Sequence, residues 1–507
     1  MEPHFDFNDI FILDMANNHQ GDVEHALNII RQHAAVLQSH GVRGSIKFQF
    51  RQMDTFIHPA HHKDSDNKHI PRFLSTWLKQ DQYKVLLDEV RAHSLMAVCT
   101  PFDEESVDLI MELGFDIIKI ASCSATDWPL LEKVSQADLP VIVSTGGLTV
   151  SQVDDVVSFF EHRAVDFAIM HCVSIYPTPS ELCNLANIRM LRERYPTRTV
   201  GWSTHENPED TSPVMVAIGQ GAAMYERHVG LNTDQITLNA YSSTPEQVDL
   251  WVAASRQAIT LNGSTERPSP QPVETESIDS LRRGVFAKKG FKKGTKIARD
   301  QVYFSMPYTD GQISSGQWKQ GIIAQSDFKK DGPLMEATLD IPAQPEAQVI
   351  KSAVHDVKAL LNVARVVLNS EFEVEYSHHD GVTAFREVGA VIITCINREY
   401  CKKILVQLPN QKHPEHYHKR KEETFQILWG ELHVVVDGRH RILYPGDTAL
   451  VLPGVWHHFW TETGCVFEEV SSTHYNNDSV YRDPRINKLE REERKTIVDH
   501  WGRFQLD

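Results

Sequence analysis

The sequence predicts an α/β chain: a closed (β/α)8 TIM barrel, then a small β-rich module, then a double-sheet β jelly roll. Three observations predict it. From residue 10 to about 261, eight short apolar runs alternate with amphipathic stretches of helical spacing. Each run ends in polar groups. Residues 351–486 carry evenly spaced turn signals: Gly430, Asp437-Gly438, Pro445-Gly446-Asp447 and Pro453-Gly454.

The apolar runs occupy residues 10–15, 45–50, 96–101, 116–121, 141–145, 167–173, 199–203 and 222–228. Stretches such as 23–40, 82–93 and 150–162 have helical spacing between them. Strands that are apolar on both faces belong to a parallel sheet covered by helices, and eight such units close a barrel. The polar ends are Asn17-Asn18-His19, Lys47 with Gln49, Thr100 with Asp103, and Lys119 with Ser122. They continue as Ser144-Thr145-Gly146, His171 with Ser174, Ser203 with His205, and Glu226 with His228. In such barrels the C-terminal strand ends carry the active site.

The barrel is expected over 1–261. A Pro-, Ser- and Glu-rich linker follows at 262–277, and the small module spans 278–340. The module contains five lysines in KKGFKKGTKIARD (288–300), read as a solvated turn. A second joint at 340–348 leads to the jelly roll at 350–486. Residues 487–507 read as a charged terminal helix and tail.

A net charge of −17 argues against a nucleic-acid groove or an anionic membrane as the main partner. No run of about 18 apolar residues and no signal-peptide pattern occurs, so a cytoplasmic protein is expected. Seven scattered cysteines without a CxxC pair read as reduced thiols, with Cys99, Cys123 and Cys172 as small core residues.

His205 and His228 each close an apolar run, and the barrel brings both to one mouth. Imidazoles there are candidates to hold a divalent metal that polarises a carbonyl. A second set lies in the jelly roll. His416-x-His418 is followed after four residues by Glu423 and after six more by Gly430, and His457 lies downstream. Three imidazoles and one carboxylate on facing strands suit one metal ion.

Residues 10–339 resemble the sialic acid synthase family. The matching stretches are NNHQGD (17–22), KFQF (47–50), TPFD (100–103), IKIAS (118–122), VSTGG (143–147), MHCVSIYPTP (170–179), Asn184-Leu185, GWSTHE (201–206) and YERH (225–228). The module at 278–340 resembles the antifreeze-like (SAF) domain that follows the barrel in that family. The resemblance implies condensation of phosphoenolpyruvate with an open-chain sugar aldehyde to a nine-carbon 2-keto acid, with phosphate released. It implies a phosphoenolpyruvate site of Lys47, Thr100, Lys119, Ser122, Ser144, Asn184 and Ser203, and sugar contacts from Gln49 and Tyr176. It implies metal ligation by His205 and His228, with Glu226 holding a metal-bound water or acting as base, and Asp14 beside them. Mn²⁺ is the implied metal, with Mg²⁺ or Co²⁺ as alternatives. It also implies a homodimer in which the module caps the partner's barrel.

The sequence departs from the family pattern at three places. Asp14 stands where a glutamate is usual. Residues 236–239 read ITLN where a Gly-Pro-Asp-His stretch is usual, and Met306 stands where a sugar-contacting arginine is usual. Methionine offers no bidentate fork. The expected acceptor is a sugar aldehyde of mannose or acylaminosugar type, not N-acetylmannosamine in its usual binding mode, with Arg282 or Arg283 as the alternative source of the fork.

The segments 413–430 and 445–459 resemble the two cupin motifs, with His416, His418, Glu423 and His457 as ligands of Zn²⁺, Mn²⁺ or Fe²⁺. Residues 467–483 resemble sugar-isomerase cupins of the lyxose isomerase type. Two further readings stay open at this point: a sugar-binding protein with a vestigial barrel, or a cupin isomerase with the barrel as scaffold. The retained Lys47, Lys119, His205, Glu226 and His228 argue against a vestigial barrel.

Overall fold

The computed structural model describes residues 5–63, 65–265, 267–343, 345–368 and 372–498. The chain forms two compact units, Met1–Ser269 and Pro270–Asp507.

In the first unit eight parallel strands close a barrel in sequence order. They are β1 (Ile10–Asp14), β2 (Arg43–Phe50), β3 (Met96–Pro101), β4 (Ile117–Ile120), β5 (Val141–Ser144), β6 (Phe167–Cys172), β7 (Val200–Thr204) and β8 (Met224–His228). Side chains alternate across each strand. The outward set, including Phe11, Ile46, Phe48, Val143, Ile169, Trp202 and Tyr225, packs with the surrounding helices. The inward set forms a separate apolar floor of Phe7, Ile10, Ile12, Val98, Ile117, Ile142, Ala168, Met170 and Met224. Towards the strand C-termini the same inward face turns polar, with Asp14, Lys47, Thr100, Lys119, Ser144, Ser203 and Glu226 all buried. The register pairs Asp14 with Lys47 on one side and with His228 on the other.

The helix Val23–His40 shows how local chemistry sets the elements. Asp22 caps its start by accepting from the N–H groups of Glu24 and His25, and Gly41 ends it at φ 61°. Its apolar face, from Ala26 to Leu37, is buried against the barrel.

In the second unit, β9 (Gly284–Ala287) pairs with β10 (Val302–Ser305), and β11 (Ile323–Ala324) with β12 (Leu339–Asp340). Val285, Ile297, Ile313, Ile322 and Leu334 form their small core. Twelve further strands follow: β13 (Glu373–Ser377), β14 (Ala390–Asn397), β15 (Tyr400–Gln407), β16 (Lys412–His418), β17 (Glu423–Gly430), β18 (Leu432–Val436), β19 (Arg439–Leu443), β20 (Thr448–Val451), β21 (His457–Trp460), β22 (Cys465–Ser472), β23 (Ser479–Tyr481) and β24 (Lys495–Val498). They make a seven-stranded sheet, β20-β17-β22-β15-β14-β13-β24, and a five-stranded sheet, β19-β18-β21-β16-β23. A core that includes Phe425, Val434, Phe459 and Phe467 draws on both.

Four local expectations change. The expected linker at 262–277 contains most of a helix, Pro272–Leu281, which buries no residue. Proline at its first position and Glu274 in its first turn favour a helix start. The expected joint at 340–348 runs into the helix Glu346–Val363. Val349, Ile350, Ala353, Val354, Val357 and Leu361 lie on its buried face, so the domain begins with a helix rather than with strands. The expected terminal helix is only Arg491–Arg494, and the chain then pairs as β24 with β13. The β-branched Thr496, Ile497 and Val498 suit a strand, and the edge of β13 supplies the ladder. Residues 499–507 lie outside the described residues. Cys99 and Cys172 are buried as expected, but Cys123 is exposed in the turn Ser122–Ser124.

Candidate active site

The polar end of the barrel interior is a buried charge cluster. Lys47 Nζ lies 2.9 Å from Asp14 Oδ2 and 3.1 Å from Glu226 Oε1. Lys119 Nζ lies 3.1 Å from the same Glu226 oxygen. The Ser203 hydroxyl donates to that oxygen at 3.1 Å. Gln49 Nε2 donates to Asp14 Oδ2 at 3.2 Å, and His228 Nδ1 is 3.4 Å from it. Neighbouring inward positions on β1, β2, β7 and β8 make these meetings possible.

The electrostatics follow from this packing. Burial alone would raise both carboxyls, but the lysines outweigh it. Asp14 is held below its ordinary value chiefly by Lys47, and Glu226 far below by Lys119 and Lys47. Lys47 is raised despite burial because two carboxylates face it. Lys119, with one, is lowered by burial. Burial also pushes His228 down to about 4, so its ring is neutral and offers a lone pair.

Among the described residues three buried polar atoms in this layer have no hydrogen-bond partner: Glu226 Oε2, Thr100 Oγ1 and Ser144 Oγ. Buried donors and acceptors left unmatched are costly, so at the polar end of the barrel these atoms are candidates to bond a ligand. The Ser122 hydroxyl accepts from Gly146 N–H at 3.0 Å. Asn184 is the exception among the expected phosphoenolpyruvate residues: it is exposed, and its amide donates to Leu182 O at 3.0 Å.

At the rim the His205 and His228 rings lie 5.3 Å apart. His205 Nδ1 faces Val173 O at 2.9 Å, which fixes the ring and leaves Nε2 for a ligand. The pair therefore fits a divalent cation as two imidazole donors. Tyr176 packs on His205 at 4.3 Å. Tyr241 stands edge-on to His228 at 5.3 Å and touches Tyr176 at 5.1 Å. Sequence reasoning missed Tyr241, because it lies in an irregular segment after β8. Its only signal was an aromatic residue close downstream of the last strand.

The cupin region holds a second cluster. His416, His418, Glu423 and His457 are all buried, and their ligand atoms lie within 4.8 Å of one another. The Nδ1 atoms of His416 and His457 face Pro414 O at 3.0 Å and Val455 O at 3.2 Å. His418 Nδ1 meets the Ser479 hydroxyl at 3.2 Å. These contacts aim the Nε2 atoms at a common point. Glu423 Oε1 and His457 Nε2 lie 2.9 Å apart without hydrogen-bond geometry, so both lone pairs stay available. The set fits a divalent metal. Lys421 contacts Glu423 and lies 2.9 Å from Glu469, forming a charged wall beside it.

The NeuB family profile matches residues 38–267, which hold seven of the eight barrel strands, and the cupin domain profile matches residues 404–467. A spore coat polysaccharide biosynthesis protein E from Chromobacterium violaceum has a solved structure 44% identical to this chain. The match covers 66% of this chain and 99% of that one, with a TM-score of 0.63. The chain belongs to the NeuB family. Within that family, the N-acetylneuraminate-9-phosphate synthase of Drosophila melanogaster is 31% identical over 44% of this chain and 60% of its own. The N,N'-diacetyllegionaminic acid synthase of Campylobacter jejuni is 24% identical over 64% of this chain and 99% of its own. These NeuB relatives differ in the acid they make, so the family carries the reaction type and not the acceptor. Among the described residues no helix is long and apolar enough to cross a membrane.

Proposed function

We propose that the barrel joins phosphoenolpyruvate to the aldehyde carbon of an open-chain sugar of mannose type. The new bond links phosphoenolpyruvate C3 to that carbon. Water adds at C2, phosphate leaves, and the aldehyde oxygen becomes a hydroxyl. A hexose acceptor gives a nine-carbon 2-keto acid.

One observation carries this reading: two buried ammonium groups, Lys47 and Lys119, share Glu226 Oε1 at the polar end of a NeuB barrel. An incoming dianion finds both cations, with the unpartnered hydroxyls of Thr100 and Ser144 in the same layer. Glu226 Oε2, held ionised by the two lysines, is free to accept a hydrogen bond from water or substrate and so to orient it. Asp14 and Gln49 hold the edge nearest His228, where the acceptor aldehyde would lie. When bound by His205 and His228, a divalent ion, Mn²⁺ in this reading with Mg²⁺ or Co²⁺ as alternatives, supplies polarisation of the acceptor carbonyl. The small module plays the part of the antifreeze-like domain, in a cytoplasmic homodimer.

The cupin, with a metal on His416, His418, Glu423 and His457, isomerises or binds a related sugar. The test is a panel of mannose, N-acetylmannosamine and their 6-phosphates, each mixed with phosphoenolpyruvate. Phosphate release and a product mass equal to the condensed acid are expected. Release no faster than the aldose-free blank for every sugar would overturn the synthase reading.

A further inference from the structure

Among the described residues Arg51 makes no ion pair, although Asp14 and Asp103 act on it from a distance. It follows β2 and shares the inward parity of Lys47 and Gln49, two residues beyond the glutamine that touches Asp14. It is only 8% exposed. Its guanidinium carbon lies 4.0 Å from the Phe73 ring centre and 3.6 Å from that of Phe102. Nη2 donates to Gln49 Oε1 at 3.2 Å, and Nε is buried without a hydrogen-bond partner. Burial pushes the group down to about 10.

The nearby carboxylates are committed elsewhere. Asp103 accepts from the N–H groups of Gln52 and Ser106, both at 2.8 Å. Glu105, Asp108 and Glu112 line the same cavity of about 400 Å³ as Arg51, but are exposed. They engage Thr55 at 3.2 Å, Lys133 at 2.6 Å and Gln80 at 2.6 Å. Among the described residues none pairs with Arg51. A buried charge without an ion-pair partner is costly, and a guanidinium beside two aromatic rings carries planar donors that match a phosphate.

We propose that Arg51 is a specificity-determining residue that binds a phosphate monoester on the acceptor sugar. This rests on the synthase reading of the barrel. Lys47 and Lys119 already serve phosphoenolpyruvate in that reading. Gln49 links Arg51 to the acceptor side of the site through Asp14. The acceptor is then a sugar phosphate, and the product keeps that phosphate.

The test compares mannose, mannose 6-phosphate and mannuronate in the full-length enzyme and in Arg51→Gln and Arg51→Lys. Wild type should favour mannose 6-phosphate over mannose by tenfold or more in kcat/KM. Arg51→Gln should lose most of that preference through the acceptor KM, with the phosphoenolpyruvate KM unchanged, and Arg51→Lys should recover part of it. No wild-type preference, a preference for mannuronate, or an equal loss for both sugars overturns the proposal while leaving the synthase reading intact. If no sugar is condensed, the synthase reading fails, and a calorimetric titration still decides Arg51. Mannitol phosphate, which carries the ester but no aldehyde, is titrated with phosphoenolpyruvate present. Binding at least tenfold weaker in Arg51→Gln supports the role, and equal binding overturns it.

Discussion

The carboxylate of Asp14 and the ammonium of Lys47 meet across neighbouring strands, Oδ2 to Nζ at 2.9 Å, with both side chains almost fully buried. Each is the other's protection against the cost of burial. Lys47 also serves Glu226, whereas Lys119 has Glu226 alone as an ion-pair partner among the described residues. This asymmetry separates two effects that are usually confounded.

Lys47→Ala and Lys119→Ala should both weaken phosphoenolpyruvate use. A hydrogen bond to a charged group contributes about 1.5–3 kcal/mol, so kcat/KM should drop roughly ten- to a hundred-fold. Only Lys47→Ala strips a partner from two buried carboxylates, and it should also lower stability by about 3–5 kcal/mol. Denaturant unfolding beside steady-state kinetics checks both. Equal melting of the two variants would contradict the bridging role of Lys47.

Gly146→Ala should raise the phosphoenolpyruvate KM. A Cβ there would come within 2.8 Å of Ser122 Oγ, which accepts from Gly146 N–H. Displacing one such bond costs about 0.5–1.5 kcal/mol, a rise of roughly two- to tenfold. Saturation curves matching wild type would show that this turn does not touch the substrate.

The full-length protein should hold one metal ion on the cupin set. Glu423→Ala or His457→Ala should remove that ion, while His228→Ala should spare it and abolish condensation. Elemental analysis of the purified variants reads this out. Cupin metal that survives loss of Glu423 would break the assignment.

Acid should weaken the barrel before it reaches the carboxylate range. His33 is buried in the helix Val23–His40, bonded to Ile29 O at 2.9 Å, and burial pushes it down to about 4. Its ordinary value is about 6.5. Between those values the unfolded chain binds a proton that the folded chain refuses, so stability falls as pH drops from about 6.5 to about 4. His33→Leu should flatten this part of the profile by up to about 1.4 kcal/mol per pH unit. A profile that keeps its slope in the variant would assign the loss to other groups.

Much of the barrel was legible because its strands are buried on both faces. Runs such as Ile10–Asp14 and Val141–Ser144 stand out from amphipathic helices by composition alone. Their polar last residues were legible for the same reason: a lysine such as Lys119 inside an apolar strand has few structural explanations. Tyr241 and Arg51 were not, since each lies outside a strand and its neighbours come from distant segments. The helix Glu346–Val363 was overlooked because turn signals downstream set the reading as β from its start. The terminal strand was missed because the charged REER turn masks four residues whose partner, β13, lies over a hundred positions away.

The apolar floor of the barrel has a kinetic consequence. Ile12, Val98, Ile142, Met170 and Met224 close one end of the interior, which leaves the polar end above them for traffic. In the proposed reaction, the reactant held by Lys47 and Lys119 lies deeper than the one beside His205, His228 and Tyr241. Phosphoenolpyruvate must then arrive first, and an acceptor analogue seated over it locks it in. Such an analogue should inhibit uncompetitively with respect to phosphoenolpyruvate, whereas random arrival would give a mixed pattern.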